Sequence, residues 1–127
     1  MQAEFEVSFE GDYVKVIEKG DQHIQVATDL WAAVAAECKK RGCFKVFGVS
    51  TTDEPLPTID GYQHADLFKS LGIDHRYRIA WVEENPEAVD GLHFAETVLI
   101  NRGLPGRLFS SKDTALDWLL NEETANS

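Results

Sequence analysis

The alternation of apolar and polar residues near the start of the chain predicts a β-hairpin. Phenylalanine or valine occupies every second position from 5 to 9, a period of two that indicates a half-buried strand. Gly11-Asp12 then supplies a two-residue turn, because glycine takes the positive φ that such turns need. The return strand spans residues 13–19, and the turn pairs Phe9 with Val14. The apolar side chains of both strands are therefore expected on one face of the sheet.

After the hairpin, helical and strand patterns alternate to the end of the chain. The helices are indicated by apolar residues three or four positions apart, and the strands by short β-branched and aromatic runs. The first predicted helix is capped by Thr28 and ended by Gly42, and a strand over residues 44–49 follows it. Next come a helix over 58–71, a strand over 77–82, a helix from Pro86 to Asn101 and a strand over 106–109. The last helix follows Ser110 or Ser111, with Leu116, Leu119 and Leu120 facing inward.

This order predicts an α/β fold. Strands that alternate with helices form parallel pairs through right-handed crossovers, so we expect a mixed, mostly parallel five-stranded sheet with an N-terminal antiparallel hairpin and about four helices. The chain has neither a linker nor an internal repeat, which indicates one domain over residues 1–127. The polar residues 121–127 are expected to fray.

Composition and charge exclude several classes of protein. The 127 residues are 43% hydrophobic, and 12 basic against 22 acidic residues give a net charge of −10. Such a field repels phosphate backbones and anionic membranes, which argues against a nucleic-acid partner. Two cysteines cannot form a disulfide framework. The chain shows no targeting segment and no apolar run long enough to span a membrane, so we expect a cytoplasmic protein.

Three segments resemble one protein family. Residues 77–83, 98–107 and 108–120 look like the corresponding parts of an uncharacterised bacterial branch of the SpoIIAA-like proteins, which are related to STAS and SEC14-like domains. The resemblance covers roughly residues 1 to 121. It implies a single SpoIIAA-like domain that forms a homodimer and acts as a non-enzymatic regulatory or protein-interaction module. Some relatives are thought to bind small, lipophilic molecules, which implies an alternative function.

The resemblance also suggests where a modification would lie. STAS antagonists carry a phosphorylatable serine, in an Asp-Ser-Ser-Gly context, at the start of the helix after the central strand. The matching place here has Thr58-Ile59-Asp60-Gly61, which keeps the glycine and lacks the serines. Thr58 is therefore the candidate phosphosite equivalent, and the departure argues against partner switching of the usual kind.

A candidate ligand-binding site follows the third strand. Residues 50–57 form the most loop-like stretch, and Ser50, Thr51, Thr52 and Asp53 open it. Ligands of open α/β sheets bind at the carboxyl ends of the strands, where hydroxyl groups can bind a ligand. Trp81 is expected to line an apolar pocket nearby. The alternative is that these side chains only satisfy the backbone of a turn and that Trp81 only packs.

Catalytic and metal-binding motifs are missing from the sequence. It contains no glycine-rich phosphate loop and no nucleophile elbow, and Cys38 and Cys43 lack the spacing of a zinc site. Asp60 and His64 could share one helix face, yet such a pair is more often structural. We therefore predict no catalytic residue, no metal and no cofactor.

Three functions remain, and the sequence favours them in this order: an interaction module, a carrier or sensor of a small and mostly apolar ligand, and an enzyme with an unrecognised site. A filled core with a flat, exposed apolar patch would favour the first function, and a deep apolar pocket near Trp81 and the loop of residues 50–57 would favour the second. A cluster of Asp, His and hydroxyl groups in a cleft would favour the third.

Overall fold

The computed structural model describes residues 4–20, 24–52, 58–103 and 106–120. They form five strands and four helices in the predicted order. The elements are β1 (Glu4–Phe9), β2 (Val14–Gly20), α1 (Ile24–Arg41), β3 (Lys45–Thr52), α2 (Thr58–Leu71), β4 (Arg78–Glu83), a 3₁₀ turn (Pro86–Ala88), α3 (Val89–Asn101), β5 (Arg107–Phe109) and α4 (Lys112–Leu120). The predicted tail and Asp53 lie outside the described residues.

The hairpin has the predicted register. Strands β1 and β2 are antiparallel, with Phe9 opposite Val14 and Val7 opposite Val16. Gly11 has a φ of 96°, and the Glu10 N–H donates to the Tyr13 carbonyl at 2.9 Å. The alternation of residue types was sufficient to fix this element, because a shift by one residue would turn every apolar side chain to solvent.

The five strands lie side by side in the order in which they occur in the chain. All neighbours after β1 and β2 are parallel, which confirms a mixed and mostly parallel sheet. The larger core lies between the sheet and α1, α2 and α3. A smaller core, which contains Phe47, Val82 and Leu119, lies under α4 on the opposite face. The candidate site belongs to the larger core.

Several predicted boundaries were wrong. Helix α1 begins at Ile24, so Thr28 lies inside the helix instead of capping it; burial of Ala27 against the core stabilises the extra turn. Strand β3 continues to Thr52, because Thr51 and Thr52 pair with the end of β2. Ser50, Thr51 and Thr52 are therefore in a strand and not in a loop.

The predicted helix ends are closer to what the structure contains. Gly42 follows α1 with a φ of 64°, and the Cys43 N–H donates to the Cys38 carbonyl at 3.1 Å. Asn85 is a cap, although the element that it caps is the 3₁₀ turn before α3. Ser111 caps α4, since its Oγ accepts from the Thr114 N–H.

The inward face of α4 is partly different from the prediction. Leu119 is fully buried and Leu116 is half-buried, but Leu120 is 41% exposed. Ala115 takes the buried position, because it lies one helical turn before Leu119. None of the described helices has the length and apolar character needed to cross a membrane.

Candidate ligand-binding site

The site is built around Trp81, whose indole lies across strand β3. Trp81 is next to Gly48 in the parallel register, and a Cβ placed on Gly48 would lie 2.0 Å from a ring carbon of Trp81. Only glycine leaves room for the ring in this position. The Trp81 Nε1 donates to the Ser50 Oγ at 2.9 Å, and Trp31 of α1 packs on the indole with ring centroids 5.5 Å apart. The two tryptophans thus form one aromatic wall.

A pocket of about 80 Å³ lies beside this wall, between the sheet and helices α1, α2 and α3. Its surface is mostly apolar, and Phe68 of α2 extends the aromatic lining, with its ring centroid 4.8 Å from that of Trp31. The described apolar side chains that line it are Ala27, Leu30, Trp31, Phe68, Ile79, Trp81, Leu92, Ala95, Leu99 and Leu108.

Three charged residues of the described part of the chain also line the pocket. Glu18 projects from β2 on the side of the sheet that carries the larger core and is only 6% exposed. Glu96 of α3 is half-buried; one of its oxygens accepts from the Leu108 N–H at 2.6 Å, and the other lies 3.4 Å from His93 Nδ1. Arg107 is exposed at the edge strand β5. Glu18 is therefore the most buried of these three charged residues.

A second acidic side chain, Glu83, organises the carboxyl ends of β3 and β4. One carboxylate oxygen accepts from the hydroxyls of Ser50, at 2.7 Å, and Thr52. The other accepts from the backbone N–H groups of Thr52, at 3.0 Å, and Asn85, at 2.9 Å. Four donors satisfy this buried carboxylate, which explains how the sheet holds a charge that would otherwise be costly to bury.

Ser50 lies between the two buried acids. It is the register partner of Glu18 on one side and of Glu83 on the other. Its hydroxyl donates to Glu83 and accepts from Trp81, and the residue is fully buried. The hydroxyl therefore positions the tryptophan and is not exposed for attack on a substrate.

The structure places the predicted ligand-binding residues in different environments. Trp81 lines the pocket, while Ser50 and Thr52 are buried next to it with their hydroxyls on Glu83. Thr51 points to the other face, where its exposed hydroxyl donates to Glu84 at 2.9 Å. Asp53 is outside the described residues. Of the described candidates, Trp81 is the one that lines the pocket.

Thr58 is the first residue of α2, as expected for the candidate phosphosite equivalent. The sequence predicts a helix over residues 58–71, and α2 has these bounds. The modification of Thr58 stays a prediction.

Sequence reasoning missed Gly48, Glu18 and Glu83. Two of these had a signal, since Glu18 continues the alternation of Val14 and Val16 that was assigned to the buried face, and Glu83 continues that of Ile79 and Trp81. An acid at a position expected to be buried indicates a partner or a site. The glycine had no such signal, because the ring that crosses it comes from another strand.

A second, wider groove lies at the carboxyl ends of β4 and β5. It has a volume of about 730 Å³ and is lined by residues that include His93, Ser110 and Lys112. The Lys112 Nζ lies 3.6 Å from a Glu84 carboxylate oxygen, and both side chains are solvent-exposed. This groove is more polar and more open than the pocket beside Trp81.

The described residues do not form a metal-binding cluster. No group of three or more His, Cys, Asp or Glu side chains in that part of the chain has the geometry to hold a metal ion. His93 contacts Glu96 at the surface, and His75 is exposed. Cys38 and Cys43 are free thiols; burial, and secondarily Cys43 and Glu37, raise the pKa of Cys38 to about 12.

Comparisons with known proteins do not assign the chain to a family. No family model matches it, and neither the curated proteins nor the solved structures give a match. The resemblance to SpoIIAA-like proteins therefore stays a prediction, and the geometry of the site carries the functional argument.

Proposed function

We propose that this protein is a non-enzymatic carrier or sensor that binds a small, mostly apolar ligand in the pocket beside Trp31 and Trp81. The observation that carries the proposal is the pocket itself. A concave, mainly apolar surface with a few polar groups is the usual form of a small-molecule site. Trp81, a candidate ligand-binding residue from the sequence, lines this pocket.

The construction of the aromatic wall supports the proposal. Glycine in the interior of a central strand is unfavourable, by about 1 kcal/mol in β-host measurements, because it contributes no side chain to the core. Strand β3 nevertheless has glycine at position 48, and the indole of Trp81 occupies the place where a side chain would lie. Local rules of stability are most often broken where a protein builds a functional surface.

The size of the pocket limits the ligand. Its volume of about 80 Å³ is smaller than the roughly 150 Å³ apolar cavity that binds benzene in an engineered protein. A group of a few heavy atoms fits, either as a whole small molecule or as the end of a larger one.

The same observations favour the carrier or sensor over the interaction module, which the sequence alone ranked first. The large apolar side chains that are exposed in the described part of the chain are Phe5, Ile100 and Leu120, and each is on a different element. They offer less support for a flat protein-binding patch than the pocket offers for a ligand. The resemblance implies a regulatory interaction module that forms a homodimer, and this stays a prediction, as does the cytoplasmic location expected from the sequence. Such a module is compatible with a sensor whose partner responds to the bound ligand.

Native mass spectrometry of gently purified protein tests whether a ligand is retained. We expect a reproducible extra mass that is lost on denaturation. A titration with tert-butanol, followed by the NMR signals of the Trp31 and Trp81 side chains, tests the pocket directly. Saturable shifts of these signals are expected.

Two leucine substitutions give a matched comparison. Leu92 and Leu116 are both half-buried on helices, but Leu92 lines the pocket and Leu116 packs on the opposite face of the sheet. Leu92→Trp fills the pocket, so it should abolish the shifts, while Leu116→Trp should keep them. Absence of both a retained mass and saturable shifts in the wild-type protein would contradict the proposal.

A further inference from the structure

We infer that the ligand of this pocket is a small cation, an aliphatic amine or a quaternary ammonium, whose charge lies against Glu18. The inference rests on the proposed function, because it requires that the pocket binds a ligand. It goes further by naming the charge and the chemical class of that ligand.

The first argument is the position of Glu18. Residues Val14, Val16 and Glu18 face the larger core from successive positions of β2, and all three are buried. An apolar side chain at position 18 would complete the core, yet the chain carries an acid that borders a mostly apolar pocket. A carboxylate in such a place strengthens the binding of a cation, because the local dielectric constant is low.

The second argument is the aromatic surface that faces the same space. The Nε1 of Trp81 is engaged by Ser50, so the indole offers ring carbons and not a hydrogen-bond donor to a ligand. The faces of tryptophan rings attract cations within about 6 Å of the ring centroid. A carboxylate together with indole rings is the combination that recognises alkylated ammonium groups.

The third argument is the charge balance of the pocket and of the chain. Among the described charged residues that line the pocket, Glu18 and Glu96 are acids, and Arg107 lies exposed at the edge of the sheet. The chain as a whole carries a net charge of −10. The long-range field of the chain therefore favours a cation and disfavours a ligand that carries a carboxylate or phosphate.

A set of probes with nearly the same shape tests the inference. The cations tert-butylammonium and tetramethylammonium have as many heavy atoms as neutral tert-butanol, and pivalate supplies a branched anion. Each is titrated against the full-length protein at constant ionic strength, and binding is measured by the NMR shifts of the tryptophan side chains. We expect at least one cation to bind about tenfold more tightly than tert-butanol, as a charge-assisted contact implies, and pivalate to bind most weakly.

Two substitutions assign the effect to Glu18. Glu18→Gln keeps the shape of the side chain and removes its charge, so the preference for the cation should disappear while tert-butanol still binds. Glu87→Gln removes one negative charge from an exposed residue that does not line the pocket, so it should keep the preference. The second variant controls for the change in net charge.

The outcomes separate the inference from the proposed function. Equal binding of the cations and tert-butanol to the wild-type protein, or a cation preference that survives Glu18→Gln, would overturn the inference and leave ligand binding intact. Failure of all four probes to bind would overturn both.

Discussion

At the scale of single residues, the pair of Gly48 and Trp81 decides the shape of the site. A large ring on β4 occupies the place of a missing side chain on β3, and a hydrogen bond to Ser50 fixes its orientation. Neither residue has this meaning alone. The glycine contributes no side chain to its own strand, and the indole of Trp81 would overlap any Cβ at position 48.

The first prediction concerns this pair. Gly48→Ala should lower the free energy of unfolding by about 1–3 kcal/mol, because the new methyl group overlaps the indole and the core must shift. Urea denaturation measures the change. In the background of Trp81→Leu the same substitution should cost little, so an equal cost in both backgrounds would show that the ring is not the cause.

A second prediction at this scale concerns the pH dependence of stability. Burial raises the pKa of the Cys38 thiol from 9.0 to about 12. The folded state therefore keeps the proton over a range in which the unfolded state loses it, and stability falls as the pH rises from about 9 to 12. Tyr77 acts in the same direction, because burial also raises the pKa of its hydroxyl.

Urea unfolding measured between about pH 8 and pH 11 checks the sign of this effect. The thiol of an unfolded cysteine ionises in this range. Cys38→Ala should flatten the decline, even though the smaller side chain lowers the absolute stability. Cys43→Ala is the comparison: burial is the first cause of the raised pKa of Cys38 and Cys43 only a secondary one, so most of the decline should remain in this variant. The same slope in the wild type and in Cys38→Ala would contradict the assignment.

At the scale of elements, the junction of β3 and β4 shows how tertiary contacts extend a strand. Residues 50–52 have the composition of a loop, and the sequence predicts one. In the fold all three residues pair with β2, Ser50 also pairs with β4, and Glu83 satisfies the hydroxyls of Ser50 and Thr52. The polar side chains that made this segment look like a loop include the hydroxyls that donate to the Glu83 carboxylate.

The neighbouring acids Glu83 and Glu84 provide the third prediction. Glu83→Gln replaces one acceptor oxygen with an N–H₂ group that faces the donors of Thr52 and Asn85 or of Ser50, so it should cost about 2–3 kcal/mol of unfolding free energy. Glu84→Gln changes an exposed acid and should cost less than about 0.5 kcal/mol. Thermal or urea unfolding compares the two variants, and similar losses would mean that the Glu83 network contributes little.

At the scale of the whole molecule, the position of each helix follows from the order of the strands. Because the parallel strands are neighbours in chain order and crossovers are right-handed, α1, α2 and α3 gather on one face of the sheet. The pocket forms there, between three helices and the sheet. The opposite face has one helix, α4, which packs mainly on β3 and β4.

The fourth prediction is the oligomeric state. The resemblance to SpoIIAA-like proteins implies a homodimer, and sedimentation velocity at micromolar concentration should give the mass of two chains of 14.2 kDa. Raising the salt concentration should favour the dimer, because it screens the repulsion between two chains that each carry a charge of −10. A monomer at all salt and protein concentrations would contradict the prediction.

The sequence by itself determined the fold class, the order of the elements and the register of the hairpin. These depend on local periodicity and on turn residues such as Gly11 and Gly42, which act through their own backbone. The sequence also indicated Trp81 as a candidate pocket-lining residue. Only the tertiary structure decided that Ser50 and Thr52 belong to a strand, that Trp81 crosses Gly48, and that Glu18 borders the pocket. Each of these depends on contacts between residues about thirty or more positions apart, and such contacts exist only after parallel strands have paired.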